Sequence, residues 1–160
     1  MEQKDKIVLL YTDGSCWNRS AEPALLPATS VSIIIDPEND MVITYQMSMR
    51  THGTSNNGEL NAIIEGVEMC YRKGFKNIKI LTDSNYSIKK LKGELQADIN
   101  SHLYHKWKAV KSLVDTVEFE LVKSHSGNKY NEIADKICRH LRYGITEIIN
   151  DINGSNYFQK

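Results

Sequence analysis

The chain has 160 residues, of which 20 are Lys or Arg and 20 are Asp or Glu, so its formal net charge is zero. Its length suits one compact domain, and its 41% hydrophobic and 25% charged residues are typical of globular proteins, which disfavours disordered and fibrous classes. The zero net charge also argues against tight binding of nucleic acid, because proteins that bind nucleic acid usually carry a basic excess.

The first third of the chain predicts three successive strands. The first is rich in β-branched and aromatic residues and ends at the turn signal Asp13-Gly14-Ser15. Pro23 and Pro27 predict a loop over 18–29. The next two strands are joined by turn residues that suit a hairpin. The predicted strands in this part are 6–12, 31–35 and 41–49.

The remainder alternates helical and strand patterns. Ser55 or Asn56 is the expected N-cap of the first helix, and Gly74 is its expected stop. The predicted helices are 60–71, 84–92, 102–114 and 131–143, and the predicted strands are 77–82 and 117–122. This order predicts an α/β fold with a five-stranded mixed sheet, made of a three-stranded antiparallel meander and parallel strands, with helices on it.

We expect one domain over residues 1–144 and a C-terminal tail over 145–160. The tail has Ile residues at helical spacing, so it either covers apolar surface or forms one short helix.

Cysteine usage and hydropathy indicate a cytoplasmic protein. The three cysteines are an odd number without a Cys-x-x-Cys pair, so we expect neither a disulfide framework nor a zinc site. The longest apolar run, 31–35, is too short to span a membrane. The charged first six residues predict no signal peptide.

Four carboxylates stand at positions where ligands usually bind. Asp13 and Asp83 end two strands, Glu59 opens the first long helix, and Asp135 lies in the first turns of the last helix. If the two strands are parallel neighbours, their ends meet at one edge of the sheet. Crowded carboxylates repel one another unless a cation neutralises them, and oxygen-only donors select magnesium or manganese. Each residue alone also suits a strand-end turn or a helix N-terminus.

Four segments in register resemble the ribonuclease H family, in its bacterial-like type I branch. They are YTDGSC at 11–16, GELNAIIEG at 58–66, LTDSNY at 81–86 and VKSHSGNKYNEIAD at 122–135. The resemblance covers residues 6–144 and implies a ribonuclease H-like fold.

The resemblance implies cleavage of the RNA strand of an RNA–DNA hybrid, leaving 5′-phosphate and 3′-hydroxyl ends. It implies two Mg²⁺ ions, with Mn²⁺ as a substitute. By analogy Asp13 holds both ions, Asp135 completes one site, and Glu59 with Asp83 completes the other. His125 matches the family's loop histidine, which assists proton transfer or product departure.

The substrate contacts implied by the resemblance come from several groups around these carboxylates. Glu59 would accept a hydrogen bond from the 2′-hydroxyl. The other implied contacts are Gly14, Ser15, Asn56 or Asn57, and Asn85.

The sequence departs from many relatives in three places. The segment after the first motif is not glycine-rich, and Ser55 stands where relatives have Asn. The interval after Asp83 lacks a basic protrusion rich in lysine and tryptophan, so a diffuse surface would have to bind phosphates. Its candidate lysines are Lys89, Lys90, Lys92, Lys106, Lys108 and Lys111.

Other functions remain open from the sequence. The same fold serves junction resolvases and integrase-like strand transferases, and it also serves as a domain of reverse transcriptases. A catalytically silent binding domain is a further alternative. In the leading hypothesis the partner is the hybrid duplex, and we expect a monomer without a membrane or an obligate protein partner.

Overall fold

The computed structural model describes residues 3–16, 28–50, 54–124 and 126–154. Within these ranges, five strands and four α-helices follow a short 3-10 helix at Gln3–Asp5 in the predicted order. The strands are β1 (Ile7–Cys16), β2 (Ala28–Asp36), β3 (Met41–Arg50), β4 (Asn77–Thr82) and β5 (Thr116–Leu121). The helices are α1 (Ser55–Arg72), α2 (Asn85–Leu91), α3 (Ser101–Lys111) and α4 (Lys129–Gly154).

The strands form one mixed sheet in the order β3-β2-β1-β4-β5. The β1–β2 and β2–β3 pairs are antiparallel, whereas β1–β4 and β4–β5 are parallel. Helix α1 lies between β3 and β4 in the chain, as the crossover to a parallel strand requires. The predicted α/β class and mixed sheet are confirmed.

Strand β1 is longer than predicted, and the turn expected at Asp13-Gly14-Ser15 is wrong. Its pairing with β2 continues through Asp13↔Val31 and Ser15↔Thr29, which keeps these residues extended. On its other side, the pairing with β4 ends at Tyr11↔Leu81. Strands β1 and β4 therefore separate beyond this pair and open a crevice. The prediction of a loop over 18–29 is wrong for its last two residues, because β2 begins at Ala28. The rest of the prediction, over residues 18–27, lies outside the described residues.

The sheet has a hydrophobic cluster on each face because successive side chains of a strand point to opposite sides. Val8 and Leu10 of β1 pack with α1 and α3, including Leu60 and Trp107. The alternate β1 residue Tyr11 packs with β2 and α4 on the other face. The β2 and α4 members of this second cluster include Val31, Ile33, Ile35, Tyr130, Ala134 and Cys138.

The helix ends follow ordinary capping chemistry. Thr54, rather than the predicted Ser55 or Asn56, caps α1, because its Oγ1 accepts a hydrogen bond from the Asn57 amide at 3.1 Å. Gly74 follows the end of α1 with φ +90°, a conformation that favours glycine, as predicted.

Helix α4 is longer than the helix predicted over 131–143, because its backbone continues to Gly154. Residues 145–154 thus extend α4, and residues 155–160 lie outside the described part. Within the described ranges, no helix has the length and apolar composition needed to cross a membrane.

Candidate active site

Three of the four predicted carboxylates meet in the crevice between β1 and β4. Asp13 lies in β1, two residues beyond the last β1–β4 pair, and Asp83 directly follows β4. Glu59 is the fifth residue of α1, directly after its first turn. One oxygen from each of the three side chains lies within 4.8 Å of the others.

Two glycines allow Glu59 to lie beside Asp13. A Cβ atom on Gly14 would lie 2.2 Å from the backbone nitrogen of Glu59, and one on Gly58 would lie 2.7 Å from the backbone oxygen of Thr29. The backbones of β1, β2 and α1 are therefore in direct contact. Gly14, predicted to contact substrate, has this packing role whether or not it contacts substrate.

Side chains of β2 and β3 hold the start of α1 in place. The Ser30 hydroxyl donates to the Gly58 carbonyl at 2.7 Å and accepts from Arg50 Nη2 at 2.5 Å. Arg50 also donates to Asn57 Oδ1 at 3.1 Å and pairs with Glu65 at 3.3 Å. Sequence reasoning missed Ser30, Arg50 and Glu65. The available signal was the alternation of Ser30 and Ser32 with apolar residues in β2, which places both serines on the face that α1 covers.

Asp13 and Glu59, the two buried carboxylates of the crevice, hold protons more strongly than usual. Asp13 is 4% exposed, and its burial is the largest cause of a pKa raised to about 7, to which the charges of Asp83 and Asp135 contribute. Hydrogen bonds from Glu59 and from the Gly14 amide oppose this rise. Burial, followed by the nearby charge of Asp13, raises the pKa of Glu59 well above its ordinary value. The hydrogen bond between the two side chains favours the protonated form of Glu59.

The donor set of the crevice fits a hard divalent cation. Its three side chains offer only carboxylate oxygens, which Mg²⁺ and Mn²⁺ prefer. Glu59 Oε2 is buried, and among the described residues it has no hydrogen-bond partner. A buried carboxylate oxygen without a partner is unfavourable, and a cation would satisfy it.

Asp135 lies at the margin of the crevice. Its charge contributes to the raised pKa of Asp13, but it is not part of the three-carboxylate group. Its Oδ2 pairs with Arg139 Nη2 at 3.1 Å. On the opposite side, Ser124 donates to Asp83 Oδ2 at 3.0 Å. The predicted His125 follows Ser124 and lies outside the described residues.

The residues predicted to contact substrate differ in their availability. Asn56 is exposed in the first turn of α1, and Asn85 is exposed at the start of α2. Asn57 is half-buried, and its amide oxygen accepts from Arg50. Ser15 is half-buried near the end of β1. Asn56 and Asn85 thus have exposed side chains close in sequence to Glu59 and Asp83.

Sequence comparison gives matches along most of the chain. A family model described as RNase H matches residues 5–142. A protein named ribonuclease H from Neorickettsia sennetsu is 30% identical over 148 residues, covering 82% of this chain and 89% of the relative. Another, from Wolbachia pipientis, is 32% identical over 150 residues, covering 84% of this chain and 94% of the relative.

Solved structures match the fold. RNase H1 from the archaeon Halobacterium salinarum superposes with a TM-score of 0.67 at 20% identity, over 81% of this chain and 92% of that one. LC11-RNase H1, solved in complex with an RNA/DNA hybrid, has a TM-score of 0.64 at 19% identity, over 81% and 91%. With its sheet order, its crevice and a family match over most of its length, the chain belongs to the ribonuclease H family.

Proposed function

We propose that this chain is an endonuclease that hydrolyses the RNA strand of RNA–DNA hybrids, leaving 5′-phosphate and 3′-hydroxyl ends. The observation that carries the proposal is the cluster of Asp13, Glu59 and Asp83 within 4.8 Å in the crevice. Two relatives named ribonuclease H, matched over 89% and 94% of their own lengths, support it. They disfavour a resolvase, an integrase and a detached reverse transcriptase domain.

The cofactor in this proposal is a pair of Mg²⁺ ions, for which Mn²⁺ can substitute. Asp13, Glu59, Asp83 and Asp135 would hold them. When bound, such cations stabilise negative charge on the reacting phosphate and lower the pKa of water. The partnerless Glu59 Oε2 and the raised pKa of Asp13 support a cation at this place.

The chain's own groups bind and orient the hybrid. Asn56 and Asn85 would donate hydrogen bonds to the strands, with Gly14 and Ser15 contributing from the backbone of β1. Glu59 would accept a hydrogen bond from the 2′-hydroxyl, the group that distinguishes RNA from DNA.

His125 would carry a proton near the leaving oxygen, because a histidine titrates near neutrality. The hydrogen bond from Ser124 to Asp83 supports this role, since it joins the preceding residue to the crevice.

We infer that the enzyme works as a cytoplasmic monomer. The proposed catalytic groups come from one chain, so a second subunit is not required. Cys70 and Cys138 are buried free thiols, which supports a reducing compartment.

A hybrid with a labelled RNA strand tests the proposal. We expect Mg²⁺-dependent cleavage of that strand, with DNA duplex and RNA duplex left intact. Asp13→Asn and Asp83→Asn should abolish cleavage while hybrid binding persists, whereas Asp5→Asn, a matched change at an exposed residue of the 3-10 helix, should keep full activity. Cleavage of DNA with RNA spared would identify a different nuclease of the same fold. Full activity of Asp13→Asn would exclude the assigned metal site.

A further inference from the structure

One face of α4 beyond Asp135 is basic and open. Lys136, Arg139, His140 and Tyr143 recur at helical spacing and line one shallow cavity of about 260 Å³, which we call the α4 cleft. All four side chains are exposed. Residues 136–143 include no Asp or Glu. The α4 cleft therefore combines positive charge, hydrogen-bond donors and one aromatic ring.

The α4 cleft lies next to Asp135, at the margin of the carboxylate crevice. Arg139, one of its lining residues, pairs with Asp135 at 3.1 Å. On the buried side of the same turn, Cys138 packs against the sheet, with its Sγ 3.5 Å from the backbone oxygen of Asp13. A polynucleotide that enters the crevice would thus meet the α4 cleft about one helical turn further along.

The segment between α2 and α3 has few basic groups that could bind phosphates. Lys90, one of the lysines expected to contribute to a phosphate-binding surface, is 3% exposed and pairs with Asp98 at 2.9 Å, so that expectation is wrong for Lys90. Burial holds its ammonium inside the fold, away from any phosphate. Residues 92–100 contain one Lys against two acids, and they include no Trp.

The chemistry of the α4 cleft suits a phosphodiester backbone. Lys and Arg neutralise phosphates, and an exposed Tyr ring packs on a sugar or base. Tyr143 lies seven positions after Lys136, which is roughly 10 Å along a helix. That length matches about three successive phosphates of one strand, at roughly 3.4 Å each along the axis. A single small anion would leave most of this surface unused.

We propose that the α4 cleft is a second contact surface for the hybrid, binding phosphates that flank the carboxylate crevice. The proposal rests on the proposed function for the identity of its ligand. In this proposal α4 makes the contacts with backbone phosphates that the segment after Asp83 lacks.

Hybrid binding measured against salt concentration tests the α4 cleft. Fluorescence anisotropy in EDTA, which withholds the cations needed for cleavage, separates binding from catalysis. The variants are Lys136→Gln with Arg139→Gln, Lys136→Gln alone, and Tyr143→Ala. The matched control is Lys73→Gln with Lys76→Gln, which removes the same charge before β4, at the end of the sheet away from the crevice.

The double variant should reduce the slope of log affinity against log salt by about 2, or about 1 per lost contact. From 50 to 200 mM salt, the wild type should therefore lose roughly 16-fold more affinity than the double variant. Lys136→Gln alone should reduce the slope by about 1. Tyr143→Ala should weaken binding but leave the slope unchanged, because it removes no charge. The control should keep the wild-type slope, and circular dichroism should show all variants folded.

Each outcome of this experiment decides the proposal. An unchanged slope in a folded double variant, or an equal change of slope in the control, would overturn the proposal that the α4 cleft binds the hybrid, even if the wild type cleaves hybrid. If the double variant has a smaller slope but the wild type does not cleave hybrid, the α4 cleft binds hybrid and the proposed function is refuted. Failure of the wild type to bind hybrid would overturn both.

Discussion

Gly14→Ala probes the contact between β1 and α1 that brings Glu59 to Asp13. The added Cβ would lie 2.2 Å from the Glu59 nitrogen and from the Gly58 carbonyl carbon, and both are backbone atoms that cannot rotate away. An ordinary contact begins near 3.4 Å, so α1 must move away from β1 by about 1.2 Å. Overpacking of this kind costs about 1–3 kcal/mol of the free energy of unfolding. A 1 Å displacement of a catalytic group costs on the order of 10²-fold in rate.

Urea unfolding and the cleavage rate of a labelled hybrid measure the two effects of Gly14→Ala. The control is Gly144→Ala in α4, where an added Cβ meets nothing within 4 Å. Alanine is favoured over glycine inside a helix by up to about 1 kcal/mol, so the control should keep or gain stability. Wild-type stability and rate in Gly14→Ala would refute direct contact between the two backbones.

Four further outcomes follow from the structure. The pKa of Asp13 is about 7 in the native state, against an ordinary value of 3.8. Between pH 3.8 and pH 7 the native state therefore binds more protons than the unfolded chain, and this carboxyl lowers the stability of the fold as pH rises. Asp13→Asn should therefore gain stability over wild type as pH rises from about 4 to 7, as measured by urea unfolding in EDTA. Mg²⁺ should raise the Tm more at pH 8 than at pH 5.5, because protons compete with the cation; an equal shift in Asp13→Asn would count against the site. Arg50→Met removes the hydrogen bonds to Ser30 and Asn57 and the ion pair with Glu65. Thermal unfolding should therefore show a free energy of unfolding lower by about 1–3 kcal/mol. Arg50→Lys, which keeps the charge, should lose less. Hybrid binding should be weak and should fall steeply with salt, and tight binding at high salt would contradict this expectation.

The order of elements and the sheet were predictable because they depend on local patterns. Short runs of β-branched and other apolar residues mark the strands, and Gly74 marks the end of α1. The end of β1 was not predictable in the same way. Asp13, Gly14 and Ser15 have turn chemistry as a local segment, and only pairing with β2, many residues later, keeps them extended.

The site residues that lie within the sequence motifs were predictable. Three of the four predicted carboxylates meet, because β1 and β4 are parallel neighbours and Asp13 and Asp83 both lie beyond the last residues that these strands pair. The support from Arg50 depends on the register of β3 against α1, which no local pattern reveals. The burial of Lys90 likewise depends on Asp98, which reaches it through the segment that leads to α3.

The separation of β1 and β4 also bears on how this molecule can evolve. Pairing between the two strands has already ended before Asp13 and Asp83, so neither carboxylate contributes to it. Asp13 is buried at a cost to stability, so selection for stability alone would replace it with a neutral residue. A descendant released from catalysis could therefore lose its carboxylates one at a time, keep the sheet intact, and become more stable as it became inactive.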